Sequence, residues 1–403
     1  MDLSIEKIEV LLLVAAVVAM VARRFRIPYS VGLVLAGISL ALLPFAPNVE
    51  LTKNLIFQAF LPPLIFEAAL CLRWKELRQD LPVILFLATV GVLVSAAVTA
   101  WGLHTFIGWR WPSAWLFGVL IAATDPVAVT ATFREAGVQG RLRLLVEAES
   151  LFNDGTAAVA FGVAIAFAAG QALAPSHVAA ELGLAIAGGI AGGAAVAGCV
   201  LLLAGQTDDH LVEITLTTVA AYGSFLLAEH FHASGVLATL TAGVMLGNLG
   251  PLGKISSKGR EAVEAFWEYA AFVANSLVFL LIGMRGERQN FAGAWHAAII
   301  AILFVTLGRM LAIYPGCFLF SRSRLRVGIL HQHILFWGGL RGALALALVL
   351  GLPTEVPHRE EIITVSFAVV AFSVFVQSLT ITPLLRWVGE LPATELPSRE
   401  PGS

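Results

Sequence analysis

Thirteen apolar runs, each near the roughly 20 residues a helix needs to cross a hydrocarbon layer, follow one another along this 403-residue chain. They fall at about 5–22, 30–46, 52–72, 81–107, 112–134, 142–170, 178–204, 210–229, 234–250, 261–284, 291–320, 328–352 and 361–388. No water-soluble fold has use for so many, so the pattern predicts an all-α polytopic membrane protein, one transmembrane domain over residues 1–390. Composition agrees, with 58% hydrophobic residues and only 13% charged. The net charge of -2 offers no basic excess for nucleic acid. Cys71, Cys199 and Cys317 lie inside apolar runs without pairing or ligand spacing, which implies neither a disulfide framework nor a zinc site. The opening MDLSIEKIEV lacks the basic region of a cleavable signal, so the first run is expected to be retained. Residues 391–403 read as a short cytoplasmic tail, too small for a regulatory domain.

Basic residues give the orientation, because loops facing the cytoplasm carry an excess of Lys and Arg. With the amino terminus outside and the carboxyl terminus inside, 17 of the 25 Lys and Arg fall in inner loops and six in outer ones. The remaining two, Arg309 and Arg341, lie inside apolar runs. Each needs a partner, since a charge at mid-membrane costs at least about 3 kcal/mol. In the seventh run, Gly188 with Gly192 and Gly189 with Gly193 repeat a four-residue spacing that lets helices approach closely, within the monomer or at a homodimer seam.

Polar groups inside the runs carry the chemistry. In span six the stretch VEAESLFNDGTAAV, residues 146–159, puts Ser150 and Asp154 on one helical face and Glu149 and Asn153 on the adjacent stripe. Glu147 sits nearer the inner end, where water reaches it. In span five, Thr124, Asp125 and Pro126 fall roughly 18–21 Å along the helix, past mid-depth. Pro126 has no amide hydrogen, so the Ala122 carbonyl loses its helical donor and becomes available to a cation. Span twelve is interrupted at comparable depth by Gly338, Gly339, Leu340, Arg341 and Gly342. Spans five and twelve cross in opposite directions, and two such interruptions are the pointer to an inverted-repeat secondary transporter with its site at the repeat interface. In span three, Glu67 lies four residues after Pro63, as a second site acid or as a partner for a basic residue.

The segments ATDPVAV, VEAESLFNDGTAAV, FLPPLIFEAAL and GGLRGALALAL together resemble the first cation:proton antiporter family, the NhaP and NHE type sodium/proton exchangers. The resemblance runs through nearly the whole chain, and an ATDP segment one span before an ESxxND segment carries most of its specificity. It implies an NhaA-like antiporter fold of about 13 helices, with core helices over 81–170 and 291–388 and scaffold or dimerisation helices including 1–46 and 178–284. It also implies a homodimer in a prokaryotic plasma membrane, transported Na+ or Li+ and H+ as substrates, and no cofactor. Asp154 matches the ion and proton carrier, with Ser150, Glu67 and the Thr124 carbonyl as further cation ligands. Asn153 stands where electrogenic relatives have a second Asp. Glu149 would pair with Arg309, and Asp125 with Arg341. Those pairs leave Glu67 and Asp154 to be compensated by a monovalent cation or a proton. Because burial favours the neutral carboxyl and a bound cation the charged one, the two substrates exclude each other.

His331 with His333, and His230 with His232, raise the question of a pH sensor. Residues two apart point to different helix faces, so neither pair is a ready metal site, and solvated interfacial histidine is the simpler reading. A cation channel would require carbonyl or carboxylate rings about an axis, and no pore-loop signature appears. An intramembrane aspartyl protease would need facing catalytic acids, yet no Tyr-Asp or Gly-Asp dipeptide occurs. Potassium in place of sodium stays open, because hydroxyl, carboxylate and carbonyl oxygens suit either ion.

Overall fold

The computed structural model describes residues 5–25, 27–43, 51–125, 129–130, 133, 138–170, 175–250, 255–287 and 289–390. Among them are fourteen helices and no strand: α1 Ile5–Phe25, α2 Tyr29–Ala41, α3 Leu55–Cys71, α4 Trp74–Ile107, α5 Trp111–Ala122, α6 Arg141–Ala168, α7 Pro175–Ala204, α8 His210–His230, α9 Gly235–Leu249, α10 Ser257–Gly286, α11 Phe291–Leu319, α12 Ile329–Trp337, α13 Ala343–Leu350 and α14 Arg359–Val388. Seven of them, α4, α6, α7, α8, α10, α11 and α14, are long and apolar enough to cross a membrane. α2, α3, α5 and α9 are shorter apolar helices.

The described helices overlie the thirteen apolar runs, with the twelfth split into α12 and α13 by the Gly-rich interruption. In the fifth run, α5 stops at Ala122, and Val129, Thr130 and Phe133 are helical again. α4 begins seven residues before the apolar run that predicts it, at Trp74. Its first two turns are amphipathic: Leu77 is fully buried, and Asp80 is held by Arg141 of α6 at 2.7–3.0 Å. Length in apolar residues therefore underestimates a helix whose first turns reach water.

The helices pack as two groups. α4, α5, α6, α11, α12, α13 and α14 form one, built on the contacts of α4 with α5 and α11, of α5 with α6, and of α11 and α13 with α14. α1, α2, α3, α7, α8, α9 and α10 form the other, around α10 on α2 and α3 and α9 on α3, α7 and α8. The small-residue stripe of α7 is used here: a Cβ on Gly189 would lie 2.7 Å from the Ser234 carbonyl, and one on Gly193 would overlap that of Ala238. One of the two glycine stripes is thus a seam inside the chain. A Cβ on Gly192 would meet nothing within 4 Å.

The chain crosses between the groups after α3, after α6 and after α10. At the first crossing Asn248 of α9 holds both sides of the turn. Its Oδ1 accepts from the Trp74 amide at 2.7 Å and its Nδ2 donates to the Leu72 carbonyl at 2.8 Å.

Candidate functional site

A broken helix in a low-dielectric interior exposes main-chain groups that must find partners, and here the two breaks meet. The Asp125 amide after α5 donates to the Leu340 carbonyl between α12 and α13 at 2.8 Å, a single antiparallel bridge. Side chains of α6 and two arginines take four further carbonyls. Asn153 Nδ2 donates to Ala122 at 3.3 Å, and Ser150 Oγ donates to Thr124 at 2.7 Å. Arg309 Nη2 donates to Leu335 at 2.9 Å, and Arg341 Nη1 to Gly339 at 3.0 Å. Carbonyl ends carry the negative end of a helix dipole, so the arginines sit where a cation is favoured. The opposite end is used in the opposite way: the Asp125 carboxylate lies against Gly342, which caps the amino terminus of α13.

Arg309 also forks onto Glu149, with Nη1 to Oε1 at 2.7 Å and Nη2 to Oε2 at 2.9 Å, both residues buried. Asn153, fully buried, donates in addition to Thr124 Oγ1 at 3.2 Å and to Glu149 Oε1 at 3.4 Å. The structure does not make the expected side-chain pair of Asp125 with Arg341; no described acid lies within ion-pair distance of that guanidinium. The main chain joins the two breaks instead, and helix ends compensate each charge, which removes the need for the pair. The Ala122 carbonyl, expected to be open to a cation, is occupied by Asn153. Pro126 lies outside the described residues.

Asp154 stands apart from this network. Its Oδ1 is buried and has no hydrogen-bond partner among the described residues. It lies on the wall of a cavity of about 760 Å³ between the two helix groups. Thr124 and Asp125 share that wall, and Glu67 of α3 stands on the wall supplied by the other group. From there the cavity extends to Arg23, Arg143 and Glu268, toward the ends of α1, α6 and α10 that carry the basic residues. Ser150 is buried behind this wall, with its hydroxyl committed to Thr124. Thus Asp154, Thr124 and Glu67 face one space, while Glu149, Asn153, Arg309 and Arg341 fill the packed side.

The glycines are as specific as the acids. A Cβ on Gly342 would collide with the Asp125 carboxylate, and one on Gly339 would lie 2.5 Å from Arg309 Nε. Gly342→Ala is therefore expected to lower transport at least about tenfold, since overpacking of about 1–3 kcal/mol falls on the contact between the Asp125 carboxylate and the start of α13. The rate in vesicles at matched protein content measures it.

Sequence reasoning passed over the Asp80–Arg141 pair. Arg141 donates bidentately to Asp80 and also to the carbonyls of Leu325 and Arg326, at 2.9 and 2.7 Å. It ties α4 and α6 to the segment entering α12. Both residues fall in polar segments between runs, where a paired and a solvated charge look alike. Glu147, read as solvated, pairs with Arg143 at 2.7 Å. His331 contacts Glu390 at 2.9 Å and His333 contacts the Tyr314 hydroxyl at 2.6 Å, so the two rings have separate partners.

Known proteins resemble this chain in sequence and in fold. The family described as sodium/hydrogen exchanger, transmembrane, matches residues 10–387. The Na(+)/H(+) antiporter ApNhaP of Aphanothece halophytica is 37% identical over 377 residues, covering 93% of this chain and 72% of the relative. The Na(+)/H(+) antiporter NhaH of Halobacillus dabanensis is 34% identical over 403 residues, covering 95% and 98%. Among solved structures, the sodium proton antiporter MjNhaP1 of Methanocaldococcus jannaschii superposes with a TM-score of 0.77 at 18% identity, covering 96% of this chain and 98% of that one. Broken helices bridged at Asp125 and Leu340, an unpartnered Asp154 at a deep cavity and this match through nearly the whole chain lead to one assignment: the chain is an integral, multi-pass membrane protein of the sodium/hydrogen exchanger family.

Proposed function

We propose that the protein exchanges Na+ or Li+ for H+ across the membrane, one for one, by alternating access at Asp154. The carrying observation is that, among the described residues, Asp154 Oδ1 is the buried acidic oxygen left without a hydrogen-bond partner where the broken helices meet the cavity. A single carboxylate can hold a proton or a cation, and not both. Glu149 is already compensated by Arg309. Asn153 cannot ionise, so one proton moves per monovalent cation and the cycle carries no net charge. Thr124, Glu67 and, on reorientation, the Ser150 hydroxyl complete the oxygen shell.

On this reading the chain crosses the membrane thirteen times with its amino terminus outside, α12 and α13 forming one interrupted crossing opposite in direction to that begun by α5. The cavity, ending among basic residues, is then the inner vestibule. The group around α4, α5, α6 and α11 carries the ion against the group around α2, α9 and α10, whose outer surface also forms a homodimer seam. The location is a prokaryotic plasma membrane, in keeping with the bacterial relatives.

The test is reconstitution into vesicles with an imposed pH gradient and an internal pH dye, adding sodium, lithium or potassium in turn. Sodium-driven proton movement supports the reading, and a response to potassium alone would make the protein a potassium/proton exchanger of the same fold. Clamping the potential with valinomycin and potassium is expected to leave the sodium-driven rate unchanged within about twofold, a difference of roughly 0.4 kcal/mol in barrier. A rate that follows the imposed potential would overturn the one-for-one stoichiometry.

A further inference from the structure

Behind the ion site, on the side away from the cavity, lies a second small space of about 10 Å³, where polar side chains share the walls with apolar ones. Arg309 and Arg341 line it, together with Thr306 of α11 and Ser373 and Gln377 of α14. Both arginines are more than nine-tenths buried, and the Nε of each has no hydrogen-bond partner among the described residues. Arginine donates five hydrogens and accepts none, so each bare Nε–H asks for an acceptor, and a buried donor left unmet is destabilising.

The facing wall offers acceptors. Ser373 and Gln377 bound a π-helical turn in α14, in which the Ser373 hydroxyl donates to Gln377 Oε1 at 2.7 Å and so keeps its own lone pairs. Thr306 Oγ1 donates to the Ile302 carbonyl at 2.7 Å and likewise keeps an accepting side. π-Turns are frequent at functional sites, and the two ends of this one line the same small space as the two arginines.

We infer that this chamber binds one ordered water, which accepts from the Nε–H of Arg309 and of Arg341 and donates to the hydroxyls or amide oxygen of Thr306, Ser373 and Gln377. The volume admits about one molecule, and a water with two to four polar partners is the usual occupant of such a space. Two guanidinium groups cannot hydrogen-bond each other, so a shared acceptor is the means by which they are held side by side. Arg341 belongs to the break between α12 and α13, one residue from the Leu340 carbonyl that receives Asp125. Thr306 and Gln377 therefore act as positioning residues for the ion site without touching it.

Two measurements test the inference, the second resting on the exchanger reading and the first independent of it. A structure of the wild-type protein in lipid, at a resolution that shows other interior waters, is expected to show one solvent peak within hydrogen-bond distance of both Nε atoms. Interior waters elsewhere with none here would overturn the proposal. In vesicles, Thr306→Val combined with Gln377→Met removes acceptors at nearly constant shape and is expected to shift the half-saturating sodium concentration about threefold or more. Ser378→Ala, whose buried hydroxyl is outside the chamber, is expected to leave that concentration unchanged. A folded double variant with wild-type sodium dependence would refute the positioning role. If the double variant does not fold, the wild-type solvent peak decides alone.

Discussion

Asp154→Asn is expected to reduce sodium-dependent proton movement in reconstituted vesicles to that of protein-free vesicles, while the protein folds as well as the wild type. The amide keeps the size and shape of the carboxyl, so packing in α6 is undisturbed. It can neither bind a proton near neutral pH nor compensate a cation, so both substrates lose their common site. Stability should hold or rise, because an unpartnered acid in the interior is a cost that the fold bears for function. The two readouts separate the idea from mere damage: lost exchange with an unshifted melting temperature supports the assignment. Undiminished exchange in a folded Asp154→Asn protein would remove Asp154 from the mechanism. Glu67, on the opposite wall of the cavity, makes the informative contrast. Glu67→Gln should leave exchange present but require more sodium, because Asp154, the proposed proton carrier, remains.

Much of this was legible in the chain because membranes impose simple rules. Apolar length marked where helices lie, and GGLRG marked the break at 338–342, since a Gly-rich segment in hydrocarbon has few other uses. The polar face of α6 was visible from spacing alone, and Arg309 stood out as a charge in need of a partner. Other features were hidden for physical reasons. Arg341 looked like half of an ion pair, but its compensation comes from helix ends and a main-chain carbonyl, which leave no mark on side-chain identity. The bridge from Asp125 to Leu340 is main chain to main chain and has no sequence signal at all. The division into two helix groups had no signal in the apolar pattern itself and was implied only by the family resemblance, because a helix facing lipid and one facing another helix present much the same apolar surface. The π-turns at Leu55–Phe60, Leu87–Gly91 and Ser373–Gln377 follow from tertiary packing, and ordinary helix-forming residues fill them.

Arg309→Ala is expected to be the most destabilising single change in the site. It strips Glu149 of both short bonds and leaves the Leu335 carbonyl at the end of α12 without its donor. An uncompensated carboxylate at 2% exposure should cost about 3–5 kcal/mol, the range for breaking one side of a buried pair. The melting temperature of purified protein reads this directly. The half-saturating sodium concentration of whatever folds should change by less than about tenfold, or roughly 1.4 kcal/mol, because Arg309 touches the packed side of the site and not the cavity. Removing both partners discriminates further: Arg309→Met with Glu149→Gln deletes the charges together, and the double variant should recover much of the stability lost in Arg309→Ala. Additive losses in the double variant would mean that each residue is held by other contacts and that the fork between them contributes little. A large loss of sodium affinity at unchanged stability would instead place Arg309 among the groups that bind or release the ion, and Glu149 would then join Asp154 as a titrating acid, opening a route to a second proton per cycle.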